Sequence, residues 1–203
     1  MYKIDMERYM NGNDADYNSE AIKSIEDAYT KGTMHPSNVI FYKQCDYKAH
    51  EMIRRTYNAY LAEKSVLDWL KREEPNAKWQ FACLPSEVGM FLVDFTGTAN
   101  RPDLINRWNE TIEVKCNYIN EFLLTRFYCY VPTKEGMWYK KFHNPSKGVI
   151  IVDRQLKDHA WLITPDYYFN SGHCQYFGPA SYTPGVPNEL RINLNDAQHF
   201  KIN

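Results

Sequence analysis

Five cysteines in 203 residues stand at 45, 83, 116, 129 and 174, with no C-x-x-C pair among them. That odd, scattered set writes neither a disulfide framework nor a zinc knuckle, and it fits reduced thiols in a cytoplasmic compartment. Long apolar runs are also missing. The longest, such as Gly89 to Val93, are far short of the roughly 20 residues a membrane helix needs, and the opening Met-Tyr-Lys-Ile-Asp carries no signal-peptide core. No membrane is expected. Glycine-rich phosphate loops are absent, which removes nucleotide hydrolysis as a reading. Charge of one sign is lacking too: 24 Lys plus Arg against 25 Asp plus Glu leave −1, so no overall basic footprint announces a nucleic-acid binder.

What is present is an ordinary globular composition, 44% hydrophobic and 24% charged. A chain of this length buries roughly 70% of its unfolded surface, enough for one sizeable core. No repeat period and no Gly/Ser linker divides it. The expectation is a single domain with an accessory N-terminal arm over 1–45, a core over 46–165 and a loop-rich C-terminal wrap over 166–203. The charge is uneven: residues 1–30 hold three basic and seven acidic side chains, whereas 121–157 hold seven basic and three acidic. The first segment is a candidate arm for a protein partner, the second a candidate phosphate-facing surface.

Periodicity supplies the elements. Residues 19–30 read as a short helix capped by Ser19 and ended at Lys31-Gly32. Residues 49–72 read as the principal helix, with Ala59, Tyr60, Val66, Leu67 and Leu70 on one stripe. Glu63 falls inside that stripe, where a carboxylate needs a cation or a polar pocket unless its stem packs and its head escapes. Strands are expected at 78–84, at 88–95 after a turn at Pro85-Ser-Glu87, and at 111–115, as a three-strand meander. Residues 119–131 fit helix or strand equally. Gly148–Val152, Ala160–Ile163 and Glu189–Leu194 complete the strands, giving an α+β arrangement.

On the strand 111–115, Ile112 and Val114 point to one face, and Thr111, Glu113 and Lys115 to the other. An Asp on the neighbouring strand opposite Glu113 would bring two carboxylates within about 5 Å, a separation that asks for a cation. Magnesium suits such a pair, because it takes one or two protein carboxylates and keeps positions for water and phosphate oxygens. Two aspartates fit. Setting Asp94 opposite Glu113 pairs Val93 with Val114 and Phe95 with Ile112, which the register favours. Setting Asp103 there pairs Leu104 with Ile112, but puts Ile105 on the polar face and Pro102 inside the ladder. The plain alternative is a solvent-facing Glu113–Lys115 pair on an edge strand.

A helical Glu63, an Asp at 94 or in Pro102-Asp103, and then Ile112-Glu-Val-Lys115 resemble the PD-(D/E)xK nuclease superfamily over roughly residues 50–165. The resemblance implies a restriction-endonuclease-like fold, a central mixed sheet flanked by helices, and a Mg²⁺-dependent endonuclease acting on DNA, with Mn²⁺ as a substitute. It implies metal held by Asp94 (or Asp103) and Glu113 with Glu63 as an auxiliary ligand, and Lys115 as the catalytic amine. A restriction, phage or mobile-element enzyme fits, and a homodimer by analogy. Lys134, Lys140, Lys141 and Lys147 interleave with Trp138, Tyr139 and Phe142 as a candidate nucleic-acid grip, joined by Arg101, Arg107 and Arg126, and by Tyr130 if 119–131 is a helix. The alternatives are a catalytically silent module that binds DNA or protein, and an RNA endonuclease.

Overall fold

A computed structural model describes residues 3–82, 89–93, 102–129, 142, 146–177 and 188–202. The chain is α+β and groups into two compact units, Met1–Leu61 with Phe81–Arg101, and Ala62–Gln80 with Pro102–Asn203.

The first unit holds strand β1 (Lys3–Asp5), helices α1 (Met6–Met10), α2 (Ala15–Thr30) and α3 (Pro36–Gln44), the start of α4 (Ala49–Glu73) and strand β3 (Met90–Leu92). Helix α2 begins earlier than the Ser19 cap predicts. Asp14 is the cap, its carboxylate accepting the Tyr17 N–H, and the Ser19 hydroxyl instead donates to Ala15 C=O inside the helix. Residues expected as an arm supply this unit's core: Ile4, Met6, Ala21, Ile25 and Tyr42 are buried beside Met52 and Ile53 of α4. Strand β3 pairs antiparallel with β1, Ile4 opposite Phe91, and the buried Asn38 amide caps its end by donating to Leu92 and Val93 carbonyls.

In the second unit, a 3₁₀ turn (Pro75–Ala77) follows α4, and a six-stranded mixed sheet carries the fold. Its members are β2 (Gln80–Phe81), β4 (Leu104–Ile105), β5 (Thr111–Asn117), β7 (Ser146–Asp153), β8 (His159–Ile163) and β11 (Gln198–Lys201), in the order β11-β8-β7-β5-β4-β2. A three-stranded sheet joins β6 (Leu124–Cys129), β10 (Asn188–Asn193) and β9 (Cys174–Phe177). Residues 124–129 are therefore strand, and the described residues of the tail hold three strands and helix α5 (Pro165–Asn170), capped by the Thr164 hydroxyl, where one short strand is expected.

Burial explains the layers. Val149 to Val152 are all buried, the mark of a strand covered on both faces. Val149, Ile151, Trp161 and Ile163 pack with Leu190 and Ile192 of the small sheet and with Tyr167 and Tyr168 of α5. Val66, Leu67 and Leu70 of α4 are buried, each contributing roughly 1.5–3 kcal/mol of transfer free energy. Trp69 stacks on Phe200 of β11 at 4.2 Å, and Arg72 donates to Ile202 C=O at 2.9 Å. One glycine is dictated by close approach: Gly148 has φ +140°, and a Cβ there would lie 2.2 Å from the Ile163 carbonyl oxygen.

The expected meander is corrected in its pairing. Strand β3 lies on β1, and the antiparallel neighbour of β5 is β4, with Leu104 opposite Ile112 and Ile105 opposite Thr111. The objection that Pro102 would break the ladder does not arise, because the ladder is two residues long and Pro102 precedes it.

Candidate functional site

Strand β5 is the scaffold. It runs antiparallel to β4 and parallel to β7, with Glu113 beside Val149 and Lys115 beside Ile151. Glu113 and Lys115 therefore share the face of the sheet on which Val149 and Ile151 meet the small sheet. Extending the β4–β5 register by one residue sets Asp103 across from Glu113. That is the arrangement of the alternative aspartate. Asp94 lies outside the described residues.

The side chains close on one ammonium. Lys115 Nζ donates to Glu113 Oε1, lies 3.8 Å from Asp103 Oδ2, and donates to Val114 C=O at 3.2 Å. Asp103 Oδ2 in turn accepts the Val114 N–H at 2.7 Å, so the strand backbone fixes the carboxylate's orientation. The Glu113 side chain is only 5% exposed and that of Lys115 29%. Glu63, on the α4 turn that opens this unit, is half-buried with Oε2 shielded from solvent, and its charge acts on Lys115. Burial pulls the Lys115 ammonium down, but Glu113, Asp103 and Glu63 outweigh it and hold it above its ordinary value. The amine is charged throughout the neutral range.

Three carboxylates against one ammonium leave a formal −2, in a place largely withdrawn from water. Among the described residues, no group of three or more His, Cys, Asp and Glu side chains is drawn together as a metal cage. What the cluster offers is carboxylate and carbonyl oxygen around a position already taken by a cation, a hard-oxygen set.

The other expected residues fall elsewhere. Lys147 sits where the β5–β7 register slips by a residue, and its ammonium is held by Glu74 at 2.9 Å and Glu110 at 3.5 Å, 5.5 Å above the Trp79 ring. It is engaged by carboxylates. Arg126 is on β6, half-exposed, 3.6 Å from Glu189, so its place is a strand and not the helix that would follow the motif. Arg107 is exposed and lies over Trp108 at 4.5 Å. Phe142 is buried and stacks on Tyr168, a core role. Arg101, Tyr130, Lys134, Trp138, Tyr139, Lys140 and Lys141 lie outside the described residues.

Compared with protein-family models, curated proteins and solved structures, the chain matches none. The reading of the site therefore rests on its own geometry. The basic stretch 121–157 contains Phe122, Arg154 and Lys157, but sequence reasoning did not single out Tyr118 and Phe122, whose exposure no local pattern shows.

Proposed function

We propose that the chain is a divalent-cation-dependent phosphodiesterase cutting DNA, an endonuclease of the PD-(D/E)xK kind. The observation that supports it is the gathering of Asp103, Glu113 and Lys115, with the charge of Glu63, around one point on adjacent strands. Lys115 offsets only one of the carboxylate charges, and the oxygen donors left over are of the kind magnesium takes, since it binds one or two carboxylates and otherwise keeps water and substrate oxygens. Asp103 and Glu113 would hold the ion, with Glu63 as an auxiliary oxygen donor, and Mn²⁺ would substitute. Such an ion supplies Lewis-acid polarisation of the scissile phosphate and a more acidic water.

The chain's own residues do the rest. The Val114 N–H orients Asp103, and the buried Glu113 is fixed by its place on β5. Lys115, held protonated, is an electrostatic stabiliser of charge developing on phosphate oxygens, not a general base. Substrate excludes bulk water from the cluster on docking, which strengthens that field.

The test is cleavage of supercoiled plasmid in Mg²⁺ against EDTA. Lys115→Ala and Glu113→Ala, verified as folded, are expected to lose about 10²-fold or more in rate, and Asp103→Asn to lose far more than Asp94→Asn. A matched RNA duplex separates deoxyribonuclease from ribonuclease action. Failure to cut any DNA in Mg²⁺ or Mn²⁺ overturns the reading and leaves a binding module.

A further inference from the structure

Two loops stand side by side at the C-terminal ends of the parallel strands β5 and β7. Register places Asn117 beside Asp153, and the Arg154 N–H donates to Asn117 C=O at 2.7 Å, so the chain after β5 (118–123) and after β7 (154–158) leaves the sheet together. The loops are anchored. The Asn117 amide donates to Thr125 Oγ1 at 2.6 Å and to Arg126 C=O at 2.7 Å, Thr125 Oγ1 donates to Tyr118 C=O at 3.2 Å, and Asn120 Oδ1 accepts the Phe122 and Leu124 N–H groups.

On this rigid base the loops present apolar surface to solvent. Phe122 is 72% exposed, Tyr118 and Leu156 54% each. An aromatic ring held in water by a well-bonded loop forfeits burial that a merely structural loop would take. The charge beside the rings is basic: the Arg154 guanidinium lies 4.9 Å over the Tyr118 ring, Lys157 is exposed, and the Asp158 carboxylate of the same loop is engaged by Lys201 at 4.0 Å, leaving Glu121 as the acidic member. Exposed rings on loops that also carry a guanidinium and an ammonium offer partners to bases and phosphates together. The candidate centre is near along the chain: Lys115 is on β5 and Tyr118 is the first residue after it, three positions on and at most about 10 Å away, a few stacked nucleotides at roughly 3.4 Å each.

We propose that Tyr118, Phe122, Arg154 and Lys157 form a docking lip for an unpaired nucleic-acid strand, which stacks its bases on the two rings and leads its backbone to Lys115. This rests on the phosphodiesterase reading above, and it adds a preference: substrates with an unpaired or unstacked stretch beside the cut are favoured over continuous duplex. A duplex keeps its bases stacked inside and has no face to give the rings.

Binding is read separately from cleavage, by fluorescence anisotropy of labelled oligo(dT) and of a labelled blunt duplex, in EDTA, with the full chain. The wild-type protein is expected to bind oligo(dT) more tightly than duplex. Tyr118→Ala and Phe122→Ala are each expected to weaken oligo(dT) roughly 5- to 100-fold, while changing duplex binding little. Both side chains are exposed, and a thermal melt verifies that the variants fold. Arg154→Ala and Lys157→Ala are each expected to reduce the slope of log affinity against log salt by about 0.7. Oligo(dT) binding that is absent, or unchanged in both ring variants, overturns the lip; metal-dependent plasmid cleavage lost in Lys115→Ala would then leave the phosphodiesterase reading standing. Oligo(dT) binding that falls in the ring variants, with no cleavage of any substrate, upholds the lip and overturns that reading instead.

Discussion

Replacing Lys115 by Met removes the one ammonium from a cluster whose formal charge then falls from −2 to −3. The methionine fills similar volume, so the effect isolates charge. Breaking a buried pair by deleting one partner costs about 3–5 kcal/mol. With Glu113 5% exposed and Lys115 29%, the lower end applies, and the expected loss is about 3 kcal/mol at neutral pH in EDTA. The double variant Lys115→Met/Glu113→Gln removes the stranded charge and recovers a large part of that loss, a coupling that a double-mutant cycle measures. Magnesium provides the second arm. If the oxygens around the ammonium suit a cation, Lys115→Met binds Mg²⁺ more tightly than the wild type, and Mg²⁺ at ten times its dissociation constant returns about 1.4 kcal/mol. Urea unfolding followed by circular dichroism reads both arms. A loss under about 1 kcal/mol, or Mg²⁺ shifting wild type and variant equally, would refute the reasoning.

Gly148→Ala places a Cβ 2.2 Å from the Ile163 carbonyl oxygen at φ +140°, where neither backbone gives way easily, and is expected to cost about 3 kcal/mol or more in urea unfolding; a loss below about 1 kcal/mol would mean that β7 and β8 pass each other less closely. Burial pushes the Glu74 carboxyl up, but the Trp79 indole N–H and the Lys147 ammonium outweigh it and hold the group below the usual carboxylate range. A carboxylate depressed in the folded state contributes stability above its unfolded value, about 4.3, and loses it as pH falls through the folded one. The stability gap between wild type and Glu74→Gln should therefore be widest near neutral pH and close in acid, and a gap that stays constant from pH 7 to about 3 would contradict it.

The parts legible in the sequence are those with a long period. The stripe of α4, with Val66, Leu67 and Leu70, and the alternation of β5 around Ile112 and Val114 are self-contained signals, and both elements stand where the pattern puts them. What could not be read is pairing. Leu104–Ile105 is too short to show a period, so its pairing with β5 stands in the sequence only as the alternative register, and the longer apolar run at 88–95 looks the better partner. That run is claimed by Lys3–Asp5, three residues nearly the whole unit away in sequence, whose only signal is the buried Ile4. Residues 119–131 were ambiguous because local preference is weak there. Tertiary pairing of β6 with β10 decides them. Helix α5 had a usable signal, Thr164 before Pro165 and Asp166, the cap, first-turn proline and early acid of a helix start.

Two lysines in this unit sit among carboxylates, and the difference between them carries the functional argument. Lys147 bridges Glu74 and Glu110, side chains 38% and 37% exposed, and rests on the Trp79 ring, so water still solvates the acids and the network pins β7 to the turn after α4. One ammonium against two solvated carboxylates is an ordinary structural bridge. Lys115 faces three carboxylates, one of them almost fully buried, and its own backbone neighbour holds a second in place. Selection for stability alone would replace so much withdrawn like charge by packed apolar side chains, which is often neutral or favourable. On the proposed reading, a second cation would share the oxygens with Lys115 and offset the surplus negative charge, and a phosphate would meet the ammonium already in position.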